Sequence, residues 1–131
     1  MNALFLTDKT TVKESFPHGL HTWLSRRDIT QSEDLLMTRV DMPPGQGHSF
    51  HKHPLMDEVI YVLSGEAEQW VDTKKQFLKA GEAAFIRKNV VHATFNATGQ
   101  MLSFLAILAP SAPAGQELVD VSDSEPWKSI R

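Results

Sequence analysis

Three of the chain's six histidines fall within six residues: His48, His51 and His53. His51-Lys52-His53 is an H-x-H pair. Side chains alternate along a β-strand, so these two imidazoles share a face about 6.6 Å apart and can reach one metal ion. Glu58 follows five residues after His53. On one straight strand that odd spacing points it to the opposite face, but Pro54 breaks the run, so Glu58 can begin a neighbouring strand and turn to the same ion. His92 opens another β-rich run and completes a set of three imidazoles and one carboxylate. Such donors suit one divalent transition metal: Mn, Fe, Co, Ni, Cu or Zn. Converging without a metal, they would carry a heavy desolvation penalty, so an ion is expected rather than a bare cluster. Four donors leave up to two positions on an octahedral ion for water, dioxygen or a chelating substrate. The metal would act as a Lewis acid or, if redox-active, activate oxygen. Glu58, beside those positions, is placed to accept a proton as general base.

The elements that must carry these residues are short and β-rich. Helical periodicity is hard to find, and runs punctuated by Gly, Pro and Asn dominate the middle. Strands are expected over residues 35–42, 58–63, 66–72, 76–78, 83–86, 92–96 and 101–109, with turns at Pro43-Pro44-Gly45, Ser64-Gly65, Asp72-Thr73-Lys74, Ala80-Gly81, Arg87-Lys88-Asn89 and Asn96-Ala97-Thr98-Gly99. That spacing indicates a sandwich or barrel. Residues 1–34 can add strands, notably over 19–24 with Trp23 as an anchor. Residues 111–131, rich in Pro, Ala, Ser and Gly and then acidic, read as a surface arm held by Leu118, Val121 or Trp127, or as a disordered end. The 131 residues suit a single domain with its core at about 35–110.

Other side chains can be placed by alternation. His48, three residues before His51, points away from the site by simple alternation, to the rim or to solvent, with a place just behind the ligands as the alternative. His18 and His21 have only each other nearby and read as surface or interface residues. Tyr61 is out of phase with Glu58 and faces outward. Gln69 enters the barrel if Trp70 packs on the outer side; otherwise it is an ordinary exposed glutamine. Met37, Met42, Met56, Phe50, Phe85, Phe95 and Phe104 are core or pocket wall, with Met56 and Phe50 the expected pocket pair because they flank the histidines. Alternation does not decide whether Arg39 faces inward to meet an anion.

Composition narrows the field. The chain is 41% apolar and 22% charged, as globular domains are. The net charge is −3, and no Lys/Arg block stands out, so nucleic acid and anionic membrane lack their electrostatic footprint. Cysteine is absent, which removes disulfides, thiolate metal sites and Cys nucleophiles. No apolar run approaches the ~18 residues of a membrane span. Residues 1–10 show no basic region followed by an apolar core, since Asp8 and Lys9 interrupt it; no signal peptide is expected, and the cytoplasm is the default. No nucleophile elbow, P-loop or dinucleotide fingerprint competes with the histidines.

The full spacing resembles the cupin superfamily. Gly45, His51, His53, Glu58 and Gly65 occupy every fixed position of its first motif. Gly81, His92 and Asn96 fit the second, while Arg87 and Asn89 stand where that motif usually has Pro and Gly. Asn tolerates the left-handed backbone that Gly supplies there. The resemblance implies an all-β fold, a double-stranded β-helix or small jelly-roll barrel. It also implies His51, His53, Glu58 and His92 as metal ligands. Cupins with this ligand set include dioxygenases of flavonols and other enediol-like substrates, and germin-type manganese oxidases. The implied function is therefore a metal-dependent oxygenase of a small organic molecule. The same barrel also serves as a non-catalytic module for sugars or effectors, or as an isomerase or cyclase that uses its metal only to polarise. Single-domain cupins often pair as homodimers through edge strands, so a second copy of this chain is an expected partner.

Overall fold

The computed structural model describes residues 4–113 and 115–131. Its strands are β1 (Val12–Phe16), β2 (Gly19–Ser25), β3 (Leu36–Met42), β4 (Gly47–Lys52), β5 (Asp57–Ser64), β6 (Glu66–Val71), β7 (Lys74–Lys79), β8 (Ala83–Ile86), β9 (His92–Phe95), β10 (Leu102–Ala109) and β11 (Val119–Asp120). Two one-turn helices, α1 (Arg27–Thr30) and α2 (Trp127–Ile130), complete the described elements. Every expected run forms a strand, displaced by no more than two residues at either end. β1 falls in the N-terminal region where added strands are expected, β4 carries the H-x-H pair, and β11 is the one strand with no counterpart in that reading. None of the helices is long and apolar enough to cross a membrane.

The sheets run β1-β2-β3-β10-β5-β8 and β11-β4-β9-β6-β7, with antiparallel neighbours throughout. Counting β3 to β10 as the first to eighth core strands, the facing sheets read 1-8-3-6 and 2-7-4-5, the strand order of a jelly roll. The two outer additions cover edges. β2 pairs with β3, and β11 pairs with β4, so neither core strand presents a bare ladder.

Two turns show why particular residues are needed. At Gly65, between β5 and β6, φ is +79°, and a side chain would meet the Met101 carbonyl at 2.6 Å, so only glycine fits. Asn89 takes φ 64°, the left-handed backbone the family pattern gives to glycine. Its N–H donates to the His53 carbonyl at 2.9 Å, tying the β8–β9 loop to the turn after β4.

Two apolar clusters hold the sheets. Between them, Val40 and Met42 of β3, Ile60 and Val62 of β5, and Phe104 and Leu108 of β10 are each at most 4% exposed. Each such side chain contributes about 1.5–3 kcal/mol, which gives the barrel a core independent of any ion. On the outer face of the second sheet lie Phe50, Trp70, Val91 and Ala93, covered by Val121, Trp127 and Ile130 from the C-terminal arm. Phe50 therefore leaves the pocket wall, where its position flanking the histidines had placed it with Met56. It adjoins His51 on a strand whose next residue faces in, so Phe50 must face out. Phe85 is 56% exposed on the outer side of β8 rather than in core or pocket.

Candidate metal centre

Three strand ends bring the site together. His51 on β4 and His92 on β9 are direct partners across the ladder. His53 follows the end of β4. The Pro54-Leu55 turn then carries the chain across to the other sheet, where β5 presents Glu58 inward beside Ile60. All four side chains are buried, and one donor atom from each lies within 4.8 Å of the others. The alternation problem posed by Glu58 is thus resolved by a change of sheet at Pro54.

The cluster holds a charge without fully satisfying it. Glu58 Oε1 lies 2.7 Å from His92 Nε2 and 3.3 Å from His53 Nε2. Yet Glu58 Oε1 and His92 Nε2, both buried, have no aligned hydrogen-bond partner. Close approach without alignment is the geometry of donors converging on a shared point. Burial alone would raise the Glu58 carboxyl, but the contacts with His53 and His92 outweigh it and hold the group ionised, below the usual carboxylate range. Burial would lower His53 as well; the facing carboxylate raises it on balance. Burial, with the neighbouring His48 and His92, pushes His51 well below its ordinary value. An ionised carboxylate beside imidazoles with free Nε2 atoms is what a divalent ion requires, the ion displacing whatever proton His53 and Glu58 share.

The Nδ1 atoms set those tautomers. His51 Nδ1 faces the Ser49 carbonyl at 2.6 Å, and His92 Nδ1 faces the Val90 carbonyl at 3.1 Å. His53 Nδ1 contacts the carbonyl of Glu117 in the C-terminal arm. A carbonyl only accepts, so each Nδ1 carries the proton and each Nε2 is left to coordinate.

The site opens on a cavity of about 840 Å³, and all six histidines of the chain line it. His48 therefore corrects the alternation reading, and His18 and His21 correct their reading as surface or interface residues. Between His48 and His51, β4 spends three residues against two of β9, a bulge that reverses the phase and turns His48 inward. Its ring stacks on His51 at 3.8 Å and on His18 at 4.3 Å. His18 Nε2 lies 2.7 Å from His21 Nε2, and His21 Nδ1 lies 3.2 Å from Thr38 Oγ1. Burial, with the neighbouring His18, pushes His48 down to about 3, and the same two causes push His21 to about 4, so both are neutral hydrogen-bonding groups at pH 7. No local signal marks the bulge. The pooling of every histidine arises only when the β1–β2 hairpin folds over the barrel.

The remaining candidates divide. Met56 and Phe104 line the cavity, as do Trp23, Thr94 and Leu118. Tyr61 faces outward, 38% exposed. Gln69 is buried while Trp70 packs on the outer cluster, but its groups are engaged: Thr94 Oγ1 donates to its Oε1 at 2.6 Å, and its Nε2 donates to the Trp70 carbonyl. Arg39 is exposed and pairs with Asp41 at 3.2 Å, which removes it from the site. Asn96 is a loop organiser, its buried amide donating to the Met42 and Gln100 carbonyls.

Comparison with known proteins converges on the same region. A pectin degradation protein, KdgF of Dickeya dadantii, is 34% identical over 92 residues, spanning 70% of this chain and 79% of that protein. An oxalate-binding protein of Thermotoga maritima is 29% identical over 85 residues, 65% of this chain and 70% of that one. A conserved double-stranded β-helix protein of Klebsiella pneumoniae superposes with a TM-score of 0.71 at 22% identity, covering 90% of this chain and 96% of the other. The family model described as the cupin domain matches residues 38–108, a stretch that runs from within β3 to within β10 and includes all four clustered side chains. With the jelly-roll strand order and both motifs in place, this chain belongs to the cupin family.

Proposed function

We propose that this protein is a metal-dependent enzyme of a small organic acid, with His51, His53, Glu58 and His92 holding one divalent transition metal. The observation that carries this reading is the buried four-donor cluster at the wall of the cavity, with Glu58 Oε1 and His92 Nε2 lacking aligned partners. A bound ion would supply Lewis acidity and, if Fe, Mn, Co, Ni or Cu, redox capacity. Charge favours an anionic ligand. Glu58 with three neutral imidazoles carries one negative charge, and a divalent ion turns that to one positive charge in an apolar cavity, which a carboxylate neutralises. The names of the two relatives, a pectin degradation protein and an oxalate-binding protein, agree with acidic ligands.

The protein's own groups have assignable tasks. His48 and Thr94 line the cavity as hydrogen-bonding groups for the bound molecule. Met56, Ile60 and Phe104 form apolar wall and exclude water. Glu58, the carboxylate of the cluster, would act as proton acceptor on loosening from the ion. Oxygenation is the first reaction to test, and polarisation without oxygen, as in an isomerase, is the second.

Elemental analysis of protein purified without an affinity tag or added metal is the test. Near one equivalent of Mn, Fe, Co, Ni, Cu or Zn per chain is expected. No metal, with none taken up on addition, overturns the reading. Oxygen uptake with candidate organic acids then separates oxygenation from polarisation.

We also propose that the partner of this chain is a second copy. The outer face of the first sheet sets exposed Tyr61, Leu63 and Phe85 beside the half-buried Val59, Leu105 and Ile107, an apolar patch on adjoining strands. Sedimentation at micromolar concentration is expected to return a dimer, and a monomer would overturn it.

A further inference from the structure

The three clustered imidazoles are not held in the same way. His51 and His92 each place Nδ1 against the carbonyl two residues upstream, Ser49 and Val90, so folding of β4 and β9 orients them. His53 lies beyond the end of β4, and the carbonyl that orients it belongs to Glu117, 64 residues along the chain. That carbonyl reaches His53 because β11 pairs with β4, Val119 opposite Lys52 and Asp120 opposite His51. The Val121 N–H donates to the Phe50 carbonyl at 3.0 Å, and Leu118 joins the cavity wall. The arm is fastened at its far end on the other face of the sheet. Arg131 donates to Glu68 from Nε at 2.6 Å, and its guanidinium sits 3.7 Å over the Phe95 ring. Trp127 Nε1 donates to the Asp72 carbonyl at 3.1 Å.

We infer that the C-terminal arm is a working part of the metal site: the Glu117 carbonyl is the positioning group of His53, so seating of the arm and occupancy of the metal are coupled. The inference rests on the metal reading above. The arm's attachment near the site is slight, since β11 has two residues and Leu118 and Val119 are 41% and 43% exposed. A segment held so lightly opens locally more often than the barrel strands do. With the arm open, His53 loses the contact that fixes its tautomer and ring orientation, and loss of such an orienting partner typically weakens metal binding about 10–100-fold. Linkage requires the converse as well: an ion that binds only with His53 oriented favours the seated arm.

The experiment uses the full chain and Co(II), whose visible absorption reports the donor set. Hydrogen–deuterium exchange of the peptide covering residues 115–131 is measured with and without Co(II), and no substitution is needed. Exchange in this peptide is expected to slow when Co(II) is added. The double variant Trp127→Ala/Arg131→Ala, which frees the far end without touching any clustered side chain, is expected to speed exchange in the arm. It is also expected to weaken Co(II) binding about ten-fold and to alter the visible bands, while Arg131→Lys restores affinity towards that of the wild type. A merely structural arm would change the melting temperature but leave the bands and the affinity as they were. Identical exchange with and without Co(II), in a protein whose bands show histidine ligation, overturns the coupling and leaves the metal site standing. Absence of any Co(II) bands in the wild type overturns the metal site, and the coupling with it.

Discussion

Glu58 and Glu68 are both buried carboxylates, and they sit on opposite sides of the barrel wall. Glu58 faces inward from β5 and meets only imidazoles, with its Oε1 lacking an aligned partner. Glu68 faces outward from β6 and is fully met: Arg131 donates to both its oxygens, and Trp70 Nε1 donates to Oε2 at 2.8 Å. The outer carboxylate closes a clamp. The inner one is left short of a partner. Unpaired buried charge is strongly destabilising, and it persists where something outside the chain completes it. What separates the structural carboxylate from the proposed ligand is therefore not burial, which they share, but whether the chain supplies aligned partners for both oxygens.

Substitutions on the two faces should give opposite profiles. His51→Ala removes one donor of four, and its metal affinity should fall by more than about 100-fold, beyond the range that follows from losing an orienting partner. The melting temperature of the metal-free protein should move little, because His51 is not part of the apolar cluster that packs the two sheets together. Trp70→Ala, on the outer face, should destabilise by about 3–5 kcal/mol, the usual loss for a large aromatic in a packed cluster. For a domain of this size that lowers the melting temperature by roughly 10–20 °C. Its metal affinity should fall no more than about ten-fold, through loosening of the arm. Calorimetry on metal-free and metal-loaded protein reads both quantities. If His51→Ala unfolds the barrel, or Trp70→Ala abolishes metal binding, the division between the faces does not hold.

The same division explains what could be read without coordinates. The H-x-H pair, Glu58 and His92 were legible because glycines and a proline at fixed spacings determine where strands begin and end. Local punctuation of this kind survives in one dimension. The strands over residues 35–42 and 101–109 were legible for the same reason. His48 was misplaced because a bulge adds one residue to β4, and a single added residue reverses every later side chain. Nothing in the run from His48 to Phe50 encodes that choice; it is made by pairing with β9. His18 and His21 reach the cavity only because β2 pairs with β3 some twenty residues away. Phe50 and Arg131 acquire their roles from the arm, whose path depends on contacts 55 to 64 residues apart. The spacing that brings the four clustered side chains together is local information, whereas their surroundings are set by tertiary pairing.

Acid titration gives the finest comparison of the two faces. Burial pushes His48 to about 3 and His21 to about 4, with the neighbouring His18 adding to both. An unfolded histidine titrates near 6.5, so the unfolded chain takes up these protons first, and stability falls as pH drops from about 6.5 towards 3. Glu68 follows a different window. Burial alone would raise its carboxyl, but hydrogen bonds from Arg131 and Trp70 outweigh that and leave it below its ordinary value. Its contribution is complete above the unfolded carboxyl's value, about 4.3, and is lost as pH falls through the lower folded value. The Arg131 side chain is 40% exposed, so solvent screening keeps this contribution under about 1 kcal/mol. Urea unfolding of the metal-free protein between pH 7 and 3 should therefore show a broad loss beginning near neutrality, with a smaller step added at the acid end. Glu68→Gln should shrink the acid step, which the depressed carboxyl of Glu58 shares, and leave the broad loss unchanged, because Glu68 is bound by Arg131 and Trp70 rather than by the cavity histidines. A Glu68→Gln profile that flattened near pH 6 instead would mean that the outer clamp and the inner histidines titrate as one system.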